Sequence, residues 1–175
     1  MSAPCTTVPA QTAPAFLLDI VEGSANWAAH GEVEAVLHRA VAAAAAMVGR
    51  EHRPGAELAV ILTDDTTVRG LNRQWRGIDR ATNVLSFAAP AIPDLDVPTP
   101  LGDVVLAYET IEREADEAGK PFADHVAHLA VHGLLHLLGY DHESDPSADI
   151  MERLECSILA RLQIPDPYAS SDPET

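Results

Sequence analysis

Histidines stand at positions 125, 128, 132 and 136 of the segment Phe122 to Leu138, and another follows at 142. On a helix, a spacing of three or four residues aligns the first four as one stripe. His132 and His136 lie one turn apart, roughly 6 Å along the axis. Both imidazoles can therefore reach one ion at the ~2.0–2.1 Å of a zinc–nitrogen bond. Gly139 supplies a left-handed residue that ends the helix, so the chain can turn and bring His142 back as a third ligand. Three protein ligands leave a fourth position for water, the mark of a catalytic rather than a closed structural site. The alternative is a set of core histidines, each satisfied by a backbone carbonyl. Burying several imidazoles along one apolar helix without a shared partner is costly, so the pattern H-x3-H-x5-H predicts one metal site on His132, His136 and His142. His125 and His128 are expected to have supporting or packing roles.

The same spacing occurs in metzincin peptidases, whose motif adds a glutamate directly after the first histidine as general base. Here that position is Gly133. A peptidase mechanism would lack the carboxylate that takes a proton from the activated water. Asp141, Glu143 and Asp145 lie close to the last ligand in sequence, but they fit solvated turn and cap residues equally well, and the proton acceptor stays open. A second candidate group is Arg76, at a turn between a helix and a strand. It is read either as a solvated helix-end arginine or as a guanidinium that faces the metal cleft and neutralises a phosphodiester.

These residues need a scaffold, and the apolar patterning outlines one. Strands are expected at Phe16 to Val21, Glu57 to Thr63, Asn83 to Ala88 and Asp103 to Ala107. Helices are expected at Glu32 to Val48, stopped by Gly49, and from a cap at Thr63 or Asp64 through Trp75. Three more follow: Tyr108 to Ala118, Phe122 to Leu138, and Ser147 to Leu162 with Asp145 as cap and Pro146 in the first turn. The helix Phe122 to Leu138 is apolar nearly all round and must be buried. Pro90, Pro93, Pro98 and Pro100 mark Ala89 to Leu101 as an irregular loop. The expected fold is α+β: a single domain over residues 15–168 with a mixed sheet of about four strands and about five helices. Residues 1–14 and 169–175 read as flexible tails.

Composition limits the function classes. The chain has 175 residues, 47% hydrophobic and 22% charged, as in a globular protein rather than a disordered one. Its longest small apolar run, Val41 to Val48, is about half of the ~20 residues a membrane helix needs. With no basic region or apolar run at its start, the chain is expected to be cytoplasmic. Cys5 and Cys156 form no disulfide framework and are read as free thiols. A net charge of −16 argues against general nucleic-acid binding, which relies on clustered Lys and Arg. Yet Arg69, Arg73, Arg76 and Arg80 fall within twelve positions, enough for one local basic stripe.

Three segments together resemble a known family. His132-Gly133-Leu134-Leu135-His136-Leu137-Leu138-Gly139-Tyr140-Asp141-His142 is similar to the signature of the YbeY family of single-domain RNA-processing metalloproteins. Leu71 to Phe87 resembles its second motif and Leu101-Gly102-Asp103-Val104-Val105 its third, in the expected order, within a resemblance running from about Phe16 to Tyr168. This resemblance implies an α+β fold, one Zn2+ per chain on the three histidines, and a functional arginine at Arg76. It also implies endonucleolytic cleavage of single-stranded RNA in maturation of ribosomal RNA (the small-subunit 3′ end) and in ribosome quality control. The partners would be RNA and the ribosomal small subunit, with no DNA or membrane. Metallopeptidase activity and a noncatalytic ribosome-assembly role with a structural zinc are the competing readings.

Overall fold

The structure, a computed structural model, describes residues 16–48, 55–90, 100–142 and 144–169. Four strands, β1 (Phe16–Glu22), β2 (Ala56–Thr63), β3 (Val84–Ala88) and β4 (Pro100–Ala107), form one mixed sheet in the order β1-β2-β4-β3. The pairs β1/β2 and β2/β4 are parallel, whereas β3 runs antiparallel to β4 at the sheet edge, Leu85 opposite Val105. Among the described residues, five α-helices pack with the sheet: α1 (Val33–Val48), α2 (Asp65–Arg76), α3 (Tyr108–Ala118), α4 (Phe122–Leu137) and α5 (Asp145–Arg161). The expected α+β architecture is therefore present. Among the described residues, no helix is long and apolar enough to cross a membrane.

Strand alternation divides the core. Leu58, Val60 and Leu62 of β2, with Val104 and Leu106 of β4, face the larger cluster, which α1, α4 and α5 close with Leu37, Leu134 and Ile158. Val105, Ala107 and Leu85 point the other way and pack under Val68 of α2. Helix α4 is buried as its composition requires, between the sheet and the other helices, with Val126, Leu134 and Leu135 wholly excluded from solvent. The starts of α2 and α3 are tied together by exchanged carboxylates: Glu109 accepts the Asp65 N–H at 2.8 Å, and Asp65 accepts the Thr110 N–H at 3.1 Å. Asp64 caps α2, accepting the Thr67 N–H at 2.8 Å.

Several boundaries differ from the sequence reading. β4 begins at Pro100 rather than Asp103; proline is compatible with the first residue of a strand. Helix α5 is preceded by Ser144 as cap, not Asp145, because the Ser144 N–H finds the Ser147 hydroxyl at 3.2 Å. A short 3-10 turn, Ala25–Ala29, was not expected; it buries Trp27, whose indole N–H donates to the Thr63 carbonyl at 2.9 Å. Cys156 is a free thiol. The expected tail 1–14, the stop at Gly49, Cys5, Glu143 and the expected tail beyond Ala169 lie outside the described residues, as does most of the proline-rich loop.

Candidate metal centre

The C-terminus of α4 assembles the histidine group. Gly139, at φ 89°, turns the chain back, and the Tyr140 N–H closes onto the Leu135 carbonyl at 3.0 Å. This turn aims the Tyr140 carbonyl at His136, which donates from Nδ1 to it at 3.0 Å. It also delivers His142, whose ring centroid lies 4.9 Å from that of His136 and 5.6 Å from that of His132. Ser147 at the start of α5 fastens the loop by donating to Asp141 at 2.7 Å. Each of His132, His136 and His142 offers one ring nitrogen, and the three atoms lie within 4.8 Å of one another. Among the described residues, this is the one group of three His, Cys, Asp or Glu side chains disposed to hold a metal ion.

The hydrogen bonds around the rings decide their tautomers. Glu155 of α5 is fully buried; its Oε1 lies 2.8 Å from His132 Nδ1 and its Oε2 lies 3.0 Å from His128 Nε2. Tyr168 donates its hydroxyl to the same carboxylate. Burial opposes ionisation of Glu155, but the bonds from His128, His132 and Tyr168 outweigh it and hold the carboxyl down at about 2. An ionised Glu155 needs a proton on His132 Nδ1, and the Tyr140 carbonyl needs one on His136 Nδ1. In neutral rings both lone pairs are then on Nε2, and these two atoms face each other at 3.0 Å. Two acceptors that close call for a cation between them or a proton on one ring. Burial, then the neighbouring His132 and His142, push the His136 imidazole below the usual histidine range, which disfavours the proton. The donor set thus fits a divalent ion bound by neutral imidazoles, with backbone and carboxylate partners orienting them.

His132, His136, His142 and Asp141 line a cleft of about 450 Å³ together with Arg76, Thr82, Asn83, Val84 and Ser86. The sequence-predicted arginine and histidines therefore meet in one cavity, though 56 positions separate Arg76 from His132 in the chain. Arg76 is exposed at the last residue of α2, and its side chain makes no ion pair or hydrogen bond among the described residues. Asn83 is held by Glu114, to which its amide donates at 2.9 Å, and His125 contacts the same carboxylate at 2.8 Å. The other two histidines of the α4 stripe, His125 and His128, thus each brace a carboxylate, Glu114 and Glu155. Arg69 leaves the expected basic stripe: its guanidinium closes on Asp79 with contacts of 2.7 and 3.1 Å. Arg73, Arg76 and Arg80 remain exposed.

Gly133 has a packing reason beyond the missing base. A Cβ there would sit 2.7 Å from one Val104 methyl, 3.0 Å from the other and 3.1 Å from the Ser86 hydroxyl. Ser86 donates to the Gly133 carbonyl at 3.2 Å, so α4 rests directly on β3 and β4 beside the ligands. A glutamate has no room at this position.

Glu155 and Tyr168 were not singled out from the sequence. Glu155 had a signal: it lies on the core stripe Met151, Glu155, Ile158, Leu159, where a lone carboxylate requires a buried partner. Tyr168 follows α5 in a stretch without periodicity and had none.

The profile of the family described as Endoribonuclease YbeY matches residues 23–163. A Rhodopseudomonas palustris (strain BisA53) protein named endoribonuclease YbeY is 58% identical over 150 residues, which cover 83% of this chain and 86% of that protein. A protein of the same name from Bradyrhizobium diazoefficiens is 57% identical over 149 residues, 82% of this chain and 80% of its own length. The solution structure of TM1509 from Thermotoga maritima superposes with a TM-score of 0.53 at 24% identity, covering 91% of this chain and 99% of that one, and shows the shared fold. With the profile spanning most of the chain and relatives this similar along most of their length, the chain belongs to the endoribonuclease YbeY family.

Proposed function

We propose that this protein is a single-strand-specific endoribonuclease that hydrolyses phosphodiesters with one zinc ion held by His132, His136 and His142. The observation that supports this reading is the shared cleft: Arg76, without a protein counter-ion among the described residues, lines the same cavity as three histidines whose tautomers favour a cation. Bound there, zinc supplies Lewis acidity toward a phosphoryl oxygen and a water acidic enough to act near neutral pH. Arg76 binds the scissile phosphate and stabilises the charge that develops on it. Glu155 and the Tyr140 carbonyl keep the ligand rings oriented, and Glu114 holds the cleft residue Asn83. The family name of the relatives points to RNA as substrate. The cellular setting we propose is the cytoplasm, in maturation of the small-subunit ribosomal RNA 3′ end and in ribosome quality control.

Peptide hydrolysis is disfavoured because Gly133 can carry no base. A purely structural zinc is disfavoured because the described ligand set stops at three histidines. The test is to incubate the zinc-loaded protein with a single-stranded RNA, the same RNA in a duplex, and casein. The expected result is cleavage of the single strand, abolished by chelation. Proteolysis of casein with intact RNA overturns the reading, and so does the absence of any hydrolysis by protein whose metal content is verified.

A further inference from the structure

The largest exposed apolar side chain near the cleft is Trp75, 65% accessible to solvent, with Ile78 at 42% beyond it. By helical spacing Trp75 continues the stripe of Val68 and Leu71 that packs α2 on the sheet. The stripe outruns its cover. Val68 is wholly buried, whereas the indole has one described ring neighbour, Phe87 on edge strand β3, at 6.0 Å between centroids and 60° between planes. Both members of this pair are next in sequence to residues of the cleft wall: Trp75 precedes Arg76, and Phe87 follows Ser86. Successive residues in a strand point to opposite faces of the sheet, so the aromatic pair stands around the β3 edge from the cleft, at its rim.

Charge identifies what this rim can receive. The chain carries −16 overall, yet the exposed side chains flanking Trp75 on its own helix and the following turn include Arg73, Arg76 and Arg80. An exposed indole whose chain neighbour Arg76 lines the cleft, with Arg80 exposed on the following turn, suits a strand that alternates flat bases with phosphates. An acidic peptide would use the arginines but leave the indole face without a partner. A duplex has its bases stacked internally and cannot offer one.

We propose that Trp75, backed by Phe87, is a stacking platform for an unpaired nucleobase next to the phosphate held at Arg76. This site rests on the ribonuclease reading above and gives it a physical basis for single-strand preference: the platform engages a base only when that base is free of its own stack. The recognition is sequence-tolerant, since every base presents a π-face.

The experiment uses the zinc-loaded full chain and short single-stranded oligoribonucleotides. Trp27 is 2% exposed and Trp75 is the second of the two tryptophans, so rapid mixing should quench the Trp75 emission, and Trp75→Phe should remove that signal. Trp75→Ala should lower kcat/KM by roughly 5- to 150-fold, the range of one base–aromatic stack, with the loss falling mainly on KM. Trp75→Phe should recover part of it. One abasic nucleotide, scanned along the strand, should reproduce the loss at one position in wild type and cost the alanine variant nothing further there. Wild type that cleaves RNA with Trp75 unquenched, while folded Trp75→Ala keeps its KM, overturns the platform alone. Wild type that neither binds nor cleaves single-stranded RNA overturns the ribonuclease reading and the platform together.

Discussion

Replacing Glu155 by glutamine should weaken zinc binding without removing any ligand. The carboxylate has no exposure to solvent and receives His132, His128 and Tyr168 on its two oxygens. Glutamine keeps the shape but presents one oxygen and one NH2 group to three donors. His132 can retain an acceptor only if the amide turns its NH2 toward His128, whose Nε2 must then accept and whose proton must move to Nδ1. That nitrogen is buried and without a hydrogen-bond partner among the described residues. The remaining bond to His132 is neutral, about half as strong as the charge-assisted one. Loss of such an outer partner typically costs 10- to 100-fold in metal affinity, or about 1.4 to 2.8 kcal/mol. Glutamine should fall near ~10-fold and alanine, which leaves no acceptor at all, near ~100-fold. Competition for zinc against a chromophoric chelator at neutral pH measures this directly. The metal-free variant carries a second signature. Glu155 titrates at about 2 in the folded protein against 4.5 when free. Its contribution to stability is thus complete above pH 4.5 and is lost as pH falls toward 2; Glu155→Gln should flatten that acid limb of the urea midpoint. An unchanged zinc Kd in a folded Glu155→Gln protein would refute the claim that the carboxylate sets the His132 tautomer.

Other outcomes follow from the same geometry. His136→Ala should abolish stoichiometric zinc binding in elemental analysis, and metal found undiminished would sink the assigned site. With free zinc at about 100 times its Kd, chelation should lower Tm by roughly 5 to 10 °C in a scan of the wild type. Arg76→Ala should bind zinc and melt normally while single-turnover RNA cleavage falls by ~10²–10³; lysine should recover only part, because it lacks the bidentate fork. Gly133→Ala should cost about 1–3 kcal/mol in urea denaturation, since the buried, β-branched Val104 cannot rotate away freely. In the metal-free protein, burial before any other cause lowers the His125 and His136 pKa values below 6.5. The unfolded chain therefore binds more protons as pH falls through 6.5, and the urea midpoint should decline as pH is lowered past that value.

What was legible in the sequence, and what was not, follows from the range over which each interaction acts. Helix α4 carried its own message: apolar on most faces, histidines four apart, glycine at the stop. All of this is local, and the ligand geometry follows from helix pitch and one left-handed residue. The fold class was equally legible, because β2 holds the apolar run Leu58 to Leu62, β4 holds the run Val104 to Ala107, and α2 has a capped start at Asp64. Pairings between distant parts of the chain were not. Four arginines within twelve residues looked like one stripe, but Asp79, returning after the helix stop at Gly77, removes Arg69 from it. The 3-10 turn at Ala25–Ala29 is too short for periodicity to reveal, and the burial of Trp27 depends on the Thr63 carbonyl at the end of β2. Glu155 falls between these cases. Its place on the apolar stripe of α5 announced that some partner must exist, while only the packing of α5 against α4 could name His132 and His128. Gly133 shows the same division: its identity spoke against a peptidase from the sequence, but only the structure reveals the close contact with Val104 and Ser86 that makes any larger side chain costly there.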